Sequence, residues 1–95
     1  MKHCIIIKWN SLVEDKKAIE PEIKFLFDRL LEIDGIHSVK ILENVIDRTN
    51  RYDLMICIEM DKSVLPIYDS SEPHHEWKEK YGKFVESKAI FDFEE

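Results

Sequence analysis

Two rhythms of hydrophobic positions divide this chain, one repeating every second residue and the other every third or fourth. Their order predicts strand, helix, strand, strand, helix, strand. In KHCIIIKW, His3, Ile5, Ile7 and Trp9 share one face of an extended segment, while Cys4 and Ile6 share the other between Lys2 and Lys8. Three consecutive β-branched isoleucines favour strand over helix there. Ile23, Leu26, Phe27, Leu30 and Ile33 then recur at helical spacing. Because Pro21 suits a first turn better than an interior, this helix is expected to start near Glu20, or earlier with a kink. Asp34-Gly35 ends it, with Gly35 supplying a left-handed turn. Residues 36–45 mix Val39, Ile41 and Val45 with polar positions, as in a half-exposed strand. After a turn cluster at 47–50, residues 52–60 form a second greasy strand. Leu54, Ile56, Ile58 and Met60 lie on one of its faces and Met55 and Cys57 on the other, and the two strands are expected to pair as a hairpin.

Asp61-Lys62-Ser63 reads as the start of a short helix with Pro66 in its first turn and Leu65 and Tyr68 facing inward. A turn at 70–73 leads to a second helix carrying His74, Trp77, Tyr81, Phe84 and Val85, weakened by Gly82. Residues 89–93 close the chain as a strand with Phe91 and Phe93 on one face and Ile90 on the other. This order predicts one α+β domain over residues 1–95, a ferredoxin-like, four-stranded antiparallel sheet with helices on one face. Helices on one side leave Cys4, Ile6, Met55 and Cys57 uncovered on the other. A contiguous apolar patch of that kind predicts an interface. The simplest remedy is a twofold homodimer whose two sheets close a dimeric α+β barrel.

Composition narrows the partners. Ninety-five residues with 44% hydrophobic content fit a single modest core. A net charge of −6 without a basic patch argues against nucleic acid. No apolar run approaches the roughly 20 residues of a membrane span, and the first residues do not read as a signal peptide, so a cytoplasmic protein is the default expectation. Cys4 and Cys57 lack a CxxC spacing or further cysteines for zinc, and read as reduced thiols buried as small hydrophobes, with a disulfide or a reactive thiol as the alternatives.

With the elements in place, the chain resembles the stress-responsive α/β-barrel domain (Dabb) family of the dimeric α+β barrel superfamily. The likeness spans the whole chain and rests on KHCIIIKW, Asp34-Gly35-Ile36 followed by Glu43-Asn44-Val45, Tyr52-Asp53-Leu54, Pro73-His74-His75, and the ending Ile90-Phe91-Asp92-Phe93-Glu94. It implies a small dimeric protein. That family includes plant stress-associated proteins, a cofactor-free polyketide cyclase, and members without known activity. In the cyclase a histidine of a His-Pro-x-His motif acts as base, with a tyrosine six residues before it as partner. Here Glu72 replaces the first histidine of that motif, and Leu42 stands where the family often has glycine. Pro73-x-His75 keeps one spacing. His74 stands six residues after Tyr68, three before Trp77, and fits the count back from the Phe-Asp-Phe ending, so it is the preferred heir.

The resulting catalytic candidates are His74, His75 and Tyr68. His74 is suited to abstract a proton next to a carbonyl while Tyr68 hydrogen-bonds the developing enolate. His3, Phe27, Leu54, Ile56, Trp77 and Tyr81 are the candidate lining of a pocket between helices and sheet that would hold an apolar small molecule. The plainer reading of these residues is core packing, and that of His74 is a capping or packing role. A metal site drawn from Glu72, His74, His75 and Glu76 is disfavoured, because adjacent histidines at a helix start point apart. No metal or cofactor is expected. Two functions follow: a dimeric binding or stress-associated module, or a cofactor-free cyclase, isomerase or oxygenase acting on a carbonyl compound.

Overall fold

The computed structural model describes residues 1–95. Four strands, β1 (Lys2–Trp9), β2 (Ile36–Glu43), β3 (Leu54–Met60) and β4 (Val85–Phe93), form one antiparallel sheet in the order β2-β3-β1-β4. The greasy β1 and β3 take the two central places, where a strand is covered by neighbours on both edges. The hairpin partner of β3 is β2, as the pattern anticipates, although β2 ends at Glu43 and leaves Val45 outside the sheet and 88% exposed. β4 begins four residues earlier than the sequence pattern suggests, at Val85, and pairs along the free edge of β1.

Helix α1 runs over Lys16–Asp28 and continues as a 3-10 turn over Arg29–Glu32. It starts before Glu20 because Asp15 caps it. The Asp15 carboxylate accepts from the backbone N–H groups of Lys17 (3.0 Å) and Ala18 (3.2 Å), two of the donors a helix start leaves unpaired. Pro21 therefore sits inside the helix. It costs one backbone bond, to the Lys17 carbonyl, and both residues are exposed, so that carbonyl lies on the wet side. Ile19, Ile23, Leu26, Phe27 and Leu30 form the buried stripe. Gly35 turns the chain into β2 at φ +94°, and a Cβ there would come within 2.4 Å of Val64 Cγ2, so glycine is required on both counts.

After β3, a 3-10 turn (Lys62–Val64) leads into α2 (Leu65–Asp69), which buries Tyr68. α3 begins at Glu72, two residues ahead of His74, because the Ser71 side chain accepts from the His74 backbone N–H and Pro73 fits the first turn. Its continuation is a π turn (Trp77–Tyr81) and a 3-10 turn (Gly82–Phe84).

The register sorts the sheet into rows. On the helix side these are Ile41–Ile56–Ile5–Ile90 and Val39–Ile58–His3–Asp92; on the open side they are Leu42–Met55–Ile6–Ala89 and Lys40–Cys57–Cys4–Phe91. Ile5, Ile7, Ile56 and Ile58 are sealed beneath α1 and the C-terminal turns in one hydrophobic cluster. On the open side Leu42 is 46% and Phe91 64% exposed. Cys4 matches the expectation of a reduced thiol buried as a small hydrophobe. It is only 5% exposed, since the small thiol sits on a central strand between Cys57 and Phe91, directly opposite it on either side.

Candidate functional site

Three rings from three elements converge at one end of the helix-covered face. His3 of β1 meets Tyr68 of α2 edge-on, with centroids 5.2 Å apart, and Tyr68 meets His74 of α3 edge-on at 4.8 Å. Each is aimed by local structure. Alternation on β1 turns His3 inward, Tyr68 follows the buried side of α2, and the Ser71 cap sets the first turn that carries His74. His75, the next residue along, is exposed and joins none of these contacts.

Hydrogen bonding separates the three. His3 Nδ1–H donates to the carboxylate of Asp92, its cross-strand neighbour on β4. Tyr68 Oη and His74 Nδ1 are buried and have no partner. Buried polar atoms are nearly always paired, and an unpaired one costs about 1–3 kcal/mol. Two such atoms on touching rings mark a place where hydrogen-bonding capacity is held ready.

The electrostatics suit proton chemistry. Burial lowers the His74 pKa below its usual 6.5, Lys78 adds to that, and the Asp69 carboxylate and carbonyl oppose it, so the ring is neutral at neutral pH. Burial, reinforced by the carboxylates of Asp69 and Asp92, pushes the Tyr68 phenol well above its usual range and keeps its proton on. The site thus pairs a neutral imidazole with a phenol O–H donor.

The other residues singled out in the sequence lie further along the core. Leu54 and Ile56 are buried on the helix side of β3. Trp77 packs edge-on against Phe27 (5.3 Å) and Trp9 (6.2 Å) and stacks on Tyr81 (5.8 Å). Tyr81 Oη donates to Glu22 at 3.0 Å, and burial together with that carboxylate pushes its phenol up to about 12. Tyr81 also lines an open depression of about 390 Å³ between α1 and the π turn, with Glu22, Phe25, Arg29 and Glu76, away from the three rings. No group of three or more His, Cys, Asp or Glu side chains is placed to hold a metal ion. Asp92 is the member of the site that sequence reasoning missed. Its signal was present: in Phe91-Asp92-Phe93 alternation turns the carboxylate to the helix side, opposite the two phenylalanines.

Comparison with known proteins bears on the architecture. No family model matches the chain, and no curated protein does. Solved structures do match over nearly the whole length. A dimeric protein of unknown function from Bacteroides fragilis, described as having a ferredoxin-like fold, superposes with a TM-score of 0.79 at 19% identity, covering 99% of this chain and 94% of that one. The chain has the ferredoxin-like fold. A Dabb family protein with that fold from Mesorhizobium loti gives 0.75 at 14% identity, over 99% and 94% of the two chains. A hydroxynitrile lyase from Passiflora edulis gives 0.76 at 13% identity, over 97% and 89%. The ferredoxin-like element order therefore holds from the first strand to the last. No helix of this chain is long and apolar enough to cross a membrane.

Proposed function

We propose that this chain is a homodimeric member of the stress-responsive α/β-barrel family that binds a small, partly apolar carbonyl compound at Tyr68 and His74. The observation that carries the reading is the pair of unpartnered buried atoms, Tyr68 Oη and His74 Nδ1, on adjoining rings. A carbonyl oxygen accepts the Tyr68 proton, and a hydroxyl or acidic C–H on the same compound meets the His74 nitrogen. His3, fixed by Asp92, closes the far side of Tyr68. The dimer is supported by the open sheet face, where Leu42, Met55, Ile6 and Ala89 form one uncharged row across all four strands and Phe91 continues it. At about 25 cal/mol per Å², burial of such a face on both chains works against the cost of association. Native mass spectrometry of the purified protein tests both halves, reporting chain number and any retained small molecule. Each of Tyr68→Phe and His74→Gln should weaken the bound compound roughly tenfold, the worth of one hydrogen bond. Unchanged retention in both variants would sink the binding reading.

A second reading, a cofactor-free enzyme, is favoured by the protonation states. A neutral His74 accepts a proton from the carbon beside the carbonyl, while the Tyr68 phenol steadies the enolate oxygen. The test is uptake of solvent deuterium at that carbon in a ketone probe. The cyclase, isomerase or oxygenase reading requires exchange that His74→Gln removes.

A further inference from the structure

We propose that Cys4 and Cys57 form a redox-active dithiol that closes reversibly into a cross-strand disulfide within one chain. The two residues are direct partners across β1 and β3 on the open face, and their sulfurs lie 3.1 Å apart in hydrogen-bonding contact. Directly opposed residues of an antiparallel pair have Cα atoms about 4.5–5.5 Å apart. A disulfide spans about 4.4–6.8 Å, so closure asks for side-chain rotation and no strand movement. They are also the only two cysteines of the chain, so one bond consumes both thiols. Neither takes part in the ring cluster of His3, Tyr68 and His74, which lies on the opposite face of the sheet.

The two sulfurs have different roles because their surroundings differ. Cys57 is half-buried and reachable; Cys4 is buried. Burial, and then the bond to Cys57, pushes the Cys4 thiol up to about 12, which protects it from outside reagents. The oxidant is a low-molecular-weight disulfide such as oxidised glutathione. Cys57 gives its proton to solvent and attacks one glutathione sulfur, forming a mixed disulfide and releasing one glutathione thiolate. Cys4 then loses its proton and attacks Cys57 Sγ, which expels the second glutathione thiolate. Two protein thiols are oxidised, one disulfide is reduced, and two protons end on two glutathione thiols. Where the proposed dimer forms, a second copy covers Cys57, so the reaction runs through separated chains and slows as protein concentration rises.

Intact-mass measurement after incubation with oxidised glutathione, paired with maleimide labelling and sedimentation of the same samples, tests this. The expected result is loss of two hydrogens, loss of both reactive thiols, no chain-to-chain bond, and full reversal by a dithiol reductant. Cys4→Ala should stop at one stable glutathione adduct on Cys57. Accumulation of that adduct in the unaltered protein overturns the proposal. So does a disulfide between chains, or two thiols still free under conditions that oxidise dithiothreitol. A rate independent of concentration where sedimentation shows a dimer refutes the covering by a second copy; the end product alone decides the dithiol.

Discussion

On the helix-covered face of the sheet, Ile5, Ile7, Ile56 and Ile58 are closed over by segments of their own chain, whereas on the open face Ile6, Met55 and Phe91 have nothing of that chain above them. The strands are the same, and alternation alone assigns each residue its side. The first face is finished by folding and the second waits for another surface. The difference also locates chemistry. The closed face is sealed by apolar contact along most of its length and leaves polar atoms unpaired only at the end where His3, Tyr68 and His74 meet. The open face offers no orphaned polar side-chain atom; its distinctive feature is a pair of touching sulfurs.

Several substitutions separate the faces. Phe27→Ala, deep in the closed face, should cost about 3–5 kcal/mol of unfolding free energy in a denaturant titration. A loss below about 1 kcal/mol would mean the closed face is not the core. Phe91→Lys on the open face should leave the unfolding of a single chain nearly unchanged yet weaken self-association roughly thirtyfold, about 2 kcal/mol, by sedimentation. Equal association in both proteins would remove the open face as an interface. Tyr68→Phe sharpens the contrast within the closed face. By deleting an unpartnered hydroxyl it should raise the ligand-free protein's stability by about 1 kcal/mol while impairing the proposed binding. A loss of stability would show that Oη is paired after all.

The pH response is a smaller effect with a definite sign. Because the folded pKa of His74 lies below the unfolded value of 6.5, the unfolded chain binds more protons in that range. The stability contributed by the neutral ring is present above pH 6.5 and is lost as pH falls through the folded pKa. His74→Gln should flatten this part of the stability profile, and an unchanged slope would assign it to another group. Smallest of all, Lys24→Ala removes an exposed pair with Asp28 (3.1 Å) and should shift stability by no more than about 0.5 kcal/mol.

Much of the architecture was legible beforehand because period-two and period-3.6 patterns act locally. The isoleucines of KHCIIIKW, the stripe from Ile23 to Leu30 and the Asp34-Gly35 stop each declare themselves within a few residues. The start of α1 was harder, since Pro21 sends a strong local signal that the Asp15 cap and the burial of Ile19 override. The residues of the candidate site were legible as types, through the six-residue spacing of Tyr68 and His74. The spacings favoured His74 over His75, but the rotation that turns one of two neighbours inward at a helix start is set by the Ser71 cap.

By itself, then, the sequence determined the elements, their order and which residues share a strand face, because backbone geometry converts spacing into direction without reference to distant parts. Only the tertiary structure decided that Asp92 meets His3, that Tyr68 Oη and His74 Nδ1 are left without partners, and that Cys4 touches Cys57. These depend on strand register and helix docking between residues up to 89 positions apart, a separation no local pattern encodes.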